Sequence, residues 1–224
     1  MQIRPSSNLA EQLADYLGQQ IVDGTLAADE PIAESRLAAE LQVSRGSVRE
    51  AMLILERRHL VQLIPRRGAV VMAMRRQEMS ALYELRAILA QASWSVLAQG
   101  WQESYRAPLQ AALDALTIQI EQPAGAALGP ATAAFFDAAA HLANNCYLLQ
   151  VLQNLGLATR RALLPLQQYP LQARRQMLQR CQAMLDQAAH GNAEAAGQLA
   201  AGWWRNLTIQ PAAQSKQAAC LHAA

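Results

Sequence analysis

Residues 44–68, SRGSVREAMLILERRHLVQLIPRRG, most constrain how this chain of 224 residues folds. Ser44 suits a helix N-cap, because its hydroxyl can accept one of the free backbone N–H groups of the first turn. Behind it, Val48, Ala51, Met52 and Leu55 recur at helical spacing on one face. Arg45 and Arg49 lie one turn apart on another face, near the helix start. An apolar stripe backing a small, arginine-bearing first turn suits a helix that enters the major groove, where Arg pairs bidentately with guanine.

The flanking segments extend the pattern. Leu9, Leu13, Leu17 and Ile21 recur at i, i+4 and stop at Asp23-Gly24, which predicts a first helix. Ser35–Leu41 reads as a short second helix, with Gln42-Val43 as the turn into the third. Leu60–Ile64 and Ala69–Val71 read as strands joined by the cationic turn Pro65-Arg66-Arg67-Gly68. Helix, helix, helix and hairpin make a winged helix-turn-helix. Charge follows the same division: residues 36–76 hold nine Arg against three acids, and residues 1–35 hold one Arg against six acids. The net charge of +2 conceals this asymmetry, and the basic stretch coincides with the proposed reading surface.

After Met72 the strand signals end. Ala, Leu and Gln dominate, and helices are expected at about 78–99, 105–121, 126–144, 147–164, 170–189 and 192–209, separated by Gly100, the 122–125 turn, Asn144-Asn145, the 165–170 stretch and Gly191. The fold class is therefore mainly α. A winged helix-turn-helix over 1–75 precedes an antiparallel helical bundle over 76–224, with room for a small ligand inside. The tail after Pro211 is polar and Ala-rich, which suggests fraying.

Cys146, Cys181 and Cys220 are odd in number, widely spaced and form no CxxC, which points to a reducing, cytoplasmic setting. The opening MQIRPSSN has no apolar core of a signal peptide, and no apolar run approaches the ~18 residues of a membrane span. The expectation is a soluble protein with no membrane partner.

This combination resembles the GntR family of bacterial transcriptional regulators, and within it the FadR-like subgroup with an all-helical (FCD-type) effector domain. The N-terminal resemblance rests on Gly24, Leu37-Ala38, Val43-Ser44-Arg45, Val48-Arg49-Glu50-Ala51, Leu55, Leu60-Val61, Arg66 and Gly68–Val71. The C-terminal one rests on Leu82–Arg86, the Phe136, Asn145 and Leu148 spacing, and the run from Cys181 through Gly191-Asn192 to Ala196. The resemblance implies a homodimer on a short palindromic operator, acting as a repressor and responding to a small metabolite such as a carboxylate. By position it assigns DNA contacts to Arg36, Ser44, Arg45, Gly46, Ser47 and Arg49, and wing contacts to Arg66, Arg67 and Gly68. Gly46-Ser47 departs from the Thr-Pro of many members. Glycine there opens the backbone N–H to a phosphate at about 1 kcal/mol of helix propensity.

Many relatives hold a divalent metal with an Asp-x-x-x-His pair and two later histidines. In this chain the resemblance puts Ala133 at the Asp position, Asp137 at the first His, Cys181 at the second and Trp203 at the third. In the other register Asp137 and His141 keep the pair, but the later histidines are still missing. Indole cannot ligate a metal, so no metal or other cofactor is expected. Arg86 is the expected anchor for an organic acid, adjoining an apolar face of Leu82, Leu85, Leu89 and Val96, unless it is a surface residue paired with Glu84 or a neighbouring acid. Tyr83, Asp137, His141, Asn145, Cys181, Trp203 and Trp204 complete the expected effector site. Arg160-Arg161 and Arg174-Arg175 read as solvated faces, and His59, His190 and His222 as isolated surface residues. With no phosphate loop or nucleophile–base motif, an enzyme is not expected. Two alternatives stay open: a bundle that only dimerises, and an enzyme with an appended DNA-binding domain.

Overall fold

The structure, a computed structural model, describes residues 7–122 and 127–207. The turn expected at 123–125, the start of its following helix, the end of the last helix at 208–209, the tail, Cys220 and His222 lie outside the described residues. The chain divides into two compact units, Met1–Met74 with Leu149–Ala162, and Arg75–Leu148 with Leu163–Ala224.

The first unit is a winged helix. Helix α1 (Ser7–Asp23) buries Leu13, Leu17 and Ile21, while Leu9 is exposed. Helix α2 (Glu34–Glu40) turns through Gln42, in the left-handed region at φ 54°, into α3 (Arg45–Arg57). Val48, Ala51, Met52 and Leu55 of α3 are fully buried against α1 and the sheet, as their spacing requires. Strands β2 (Val61–Ile64) and β3 (Gly68–Val71) pair antiparallel, with Ile64 opposite Gly68. A two-residue strand β1 (Pro31–Ile32), too short to leave a periodic signal, adds to β3 and gives the order β1-β3-β2.

Helix α7 (Cys146–Ala162), expected in the bundle, packs over Leu149–Ala162 with this first unit instead. Leu157 joins the core, with its Cδ1 only 2.5 Å from where a Cβ on Gly18 of α1 would stand. Glycine at that point makes the close approach possible. Arg161 is half-buried and donates from Nη1 to the Met72 carbonyl at 2.6 Å, so it is not a solvated surface residue. Burial lowers its pKa, and Asp29 partly offsets that.

The second unit holds α4 (Arg76–Gln99), α5 (Arg106–Glu121), α6 (Leu128–Leu142), α8 (Leu171–Ala189) and α9 (Ala193–Arg205), with short 3-10 turns at Glu103–Tyr105 and Leu164–Gln168. The buried face of α4 is not the expected leucine stripe. Leu85 and Val96 are 39 % and 45 % exposed, whereas Tyr83, Arg86, Ala87, Ala90, Ser93, Trp94, Leu97 and Ala98 point inward. Small residues win this face because α9 lies close against it: a Cβ on Gly197 would stand 3.0 Å from the Gln91 carbonyl, and Ser95 bonds the Ala193 carbonyl at 3.0 Å. Arg174, also expected on a solvated face, is buried and donates to the Gln122 carbonyl at the end of α5, while Arg175 stays outside on Glu121. Among the described residues no helix is long and apolar enough to cross a membrane.

Candidate nucleic-acid interface and helical-domain core

The first turn of α3 is built by its cap. Ser44 has extended backbone, and its Oγ accepts the Ser47 N–H at 3.0 Å while its hydroxyl shares a 2.9 Å hydrogen bond with that of Ser47. Both hydroxyls are thus engaged in capping, and the turn offers its backbone N–H dipole to an anion. A Cβ on Gly46 would stand 3.6 Å from the Ser44 Oγ, so the site tolerates alanine sterically and glycine keeps it shallow. Arg45 and Arg49 are exposed and make no ion pair among the described residues. Arg36, on α2, is exposed and paired with Glu40 at 2.9 Å, a contact between two solvated side chains that can exchange for a phosphate at little cost.

The wing turn carries the second cationic group. Pro65 and Arg66 are the central residues of a turn closed by Arg67 N–H to the Ile64 carbonyl at 3.0 Å. Arg66 has φ 66°, a left-handed conformation that normally falls to glycine, and Gly68 follows at φ 80°. Strain of this kind costs about 1–3 kcal/mol and concentrates at functional positions. Arg66 and Arg67 are both exposed, at the hairpin tip. Glu56 of α3 accepts the Leu63 N–H at 3.0 Å, and Arg58 bonds Asp15 of α1 at 2.5 Å, so side chains tie α3 to the wing and its end to α1. Glu56 and Arg58 were not singled out by sequence, since their partners lie on other elements.

In the bundle, Arg86 is 2 % exposed. Its Nη2 donates to Asp137 Oδ1 at 3.3 Å, its Cζ lies 4.7 Å from the centre of the Trp204 ring, and Nε and Nη1 have no hydrogen-bond partner among the described residues. Glu84 pairs with Arg205 instead. Burial pulls the Arg86 pKa down, and Asp137 partly restores it. Trp204 touches Phe136 and Trp203 at ring separations of 5.1 and 5.2 Å, and Tyr83 at 6.2 Å. Tyr83 is buried, which raises its phenol pKa, with Tyr169 adding to the shift. Cys181 is completely buried, and burial holds its thiol protonated although the Trp203 indole faces it. Trp203 packs on Phe136 at 5.0 Å.

The structure brings Tyr83, Arg86, Cys181 and Trp203 to the interior, leaves Asp137 at its edge, and does not bring His141 or Asn145 there. His141 is exposed one turn beyond Asp137, and Asn145 is exposed with its Oδ1 capping α7 at the Leu148 N–H, 3.1 Å. Ala133, Cys181 and Trp203 are buried and Asp137 lies at their edge, but as a donor set they do not fit a divalent cation. A methyl and an indole offer no lone pair, which leaves one carboxylate and one thiol. No group of three or more His, Cys, Asp or Glu able to hold a metal occurs among the described residues.

Comparison with known proteins agrees with both halves of this geometry. The family of bacterial regulatory proteins called gntR matches residues 9–71, and the FCD domain matches residues 81–205. A gluconate operon transcriptional repressor of Bacillus licheniformis is 25 % identical over 144 residues, 64 % of this chain and 59 % of the repressor. The repressor of the same name in Bacillus subtilis (strain 168) is 35 % identical over 78 residues, 35 % of this chain and 32 % of that protein. The chain thus spans less than two thirds of these relatives' length, 59 % of the first and 32 % of the second. A solved GntR transcriptional regulator from Rhodococcus sp. RHA1 is 28 % identical with a TM-score of 0.65, covering 87 % of this chain and 93 % of that one. Escherichia coli McbR/YncC shares the fold at 18 % identity and a TM-score of 0.70, covering 88 % and 94 %.

Proposed function

The chain belongs to the gntR family of bacterial regulatory proteins and carries its FCD domain, and we propose that it is a repressor that binds a palindromic operator as a homodimer and is released or tightened by a small organic acid. The observation that carries the DNA reading is the shared exposure of Arg45 and Arg49 on a capped helix start, beside a wing whose Arg66 is held in a strained conformation. One such module reads few base pairs, so useful specificity calls for two half-sites. Support for a second copy comes from α4. Leu85, Ile88 and Val96 are 39 %, 53 % and 45 % exposed and, with the exposed Ala81 and Ala92, form a helical stripe that a twin helix would cover. The sign of regulation follows the repressors named above.

The effector reading rests on Arg86. A guanidinium buried to this degree with a single hydrogen bond is costly, and a carboxylate is the partner that matches its fork. The direct test selects duplexes from a random pool with the full chain, then melts the protein against organic acids. The expected result is an enriched near-palindrome bound by a dimer in light scattering. A pool that enriches no sequence would reject the operator reading, and a monomer bound tightly to one half-site would reject the dimer.

A further inference from the structure

Six of the buried polar atoms without a partner among the described residues lie in the helical domain, and all six are N–H donors: Nε and Nη1 of Arg86, Nε of Arg174 and the indole nitrogens of Trp94, Trp203 and Trp204. Asp137 is the one acid bonded to Arg86, and it does so with one oxygen at the long distance of 3.3 Å. Its side chain is 37 % exposed, against 2 % for Arg86. Asp137 can therefore turn to water at little cost, whereas Arg86 cannot leave its pocket.

Resting on the reading of Arg86 as the effector anchor, we propose that Asp137 is an internal competitor for that anchor, displaced by the carboxylate of a monocarboxylic acid with an apolar body. The exchange trades one carboxylate for another on the same guanidinium and forms no covalent bond. The incoming group reaches Nε and Nη1, which Asp137 leaves unused, and so binds with two oxygens where Asp137 offers one. The groups around the anchor are Trp204, Trp203, Phe136 and Tyr83, which pack on one another, so the body of the ligand has to part these rings to reach it. Such a shell favours an aryl or alkyl group. The hydroxyls of a sugar acid would each lose water against these aromatic faces, a cost that an aryl or alkyl body does not carry.

The test is calorimetric titration of the full-length protein and its Asp137→Asn variant with phenylacetate, hexanoate and gluconate. Phenylacetate or hexanoate should bind the wild type, shift its tryptophan emission, and bind Asp137→Asn about tenfold more tightly, because the competitor no longer occupies the anchor. Gluconate should bind neither. Equal or weaker binding to Asp137→Asn would overturn the competitor role, and the emission shift of the wild type decides the ligand class even if that variant fails to fold. Binding of gluconate in place of the apolar acids, abolished by Arg86→Met, would overturn the ligand class and leave the Arg86 reading standing. Failure of all three acids on both proteins would overturn the proposal, and loss of any response to a wider organic-acid panel would take the Arg86 reading with it.

Discussion

Glu56 of the recognition helix accepts the backbone N–H of Leu63 in the wing at 3.0 Å, a side-chain bond joining the two elements that carry the cationic groups. Replacing Glu56 by Ala strands a part-buried N–H and is expected to cost about 1–3 kcal/mol. Glu56→Gln keeps an oxygen acceptor and should lose much less. Urea unfolding of the two variants checks this; equal midpoints would show that the bond does not hold the wing.

Arg49→Ala is expected to cost roughly 1–3 kcal/mol on the selected operator and to relax its base preference. Arg67→Ala should weaken binding across sequences and flatten the dependence on salt, the behaviour of a phosphate contact. Fluorescence anisotropy over a salt series separates the two. Wild-type affinity in both variants would remove these residues from the interface.

Arg66→Gly separates stability from function. Glycine relieves the left-handed strain at φ 66°, so stability should be unchanged or higher by about 1 kcal/mol after the entropy of glycine is counted. Operator binding should weaken. A variant that melts lower would show that Arg66 is held by packing rather than for its charge.

Arg86→Met places an apolar chain of similar reach in a shell of aromatic rings and leaves Asp137 half-exposed in water. The melting temperature should stay level or rise, since the buried charge is removed and the partner left behind, Asp137, keeps its water at 37 % exposure. The response to organic acids should vanish while the affinity of the unliganded protein for DNA persists. A strongly destabilised Arg86→Met would make the arginine a structural element instead.

Cys146 is exposed and Cys181 fully buried. Iodoacetamide at mildly alkaline pH should label Cys146 in the native protein and spare Cys181 until denaturant is added, as peptide mass spectrometry would show. Burial raises the Cys181 thiol above its ordinary value of 9.0 and the Tyr83 phenol above 10.0. The folded chain therefore keeps protons that the unfolded chain releases. That contribution is complete below about pH 9 and is lost as pH rises beyond it. Melting curves that stay flat from pH 8 to 11 would contradict this.

The winged helix was legible because its signals are local. A cap residue, a helical stripe and a Pro-Arg-Arg-Gly turn each report within a few residues. The inward face of α4 was not, because hydrophobicity pointed to Leu85 and Val96 whereas packing turned Ala87, Ala90 and Ser93 inward and set Gln91 and Ser95 against α9 at Gly197. For the same reason Arg86 stayed open between an interior anchor and a surface residue paired with Glu84, and the fold buries it. His141 and Asn145 were chosen by spacing alone, and the fold leaves His141 exposed one turn beyond Asp137 and uses Asn145 to cap α7. Arg161 and Arg174 looked like surface cations because each has a neighbouring arginine, and only the fold supplies the carbonyls they bond.

The packing of Leu157 against Gly18 makes the DNA-reading module discontinuous along the chain. A fragment ending at residue 75 would lose a core leucine and the Arg161 clamp on Met72, and would fold with an open seam along its first helix. In a hybrid made by a single splice after residue 75, a foreign first helix would meet Leu157 at the place where this chain carries Gly18. Carrying residues 149–162 along with the winged helix keeps that contact, so the segment to be exchanged comes in two pieces.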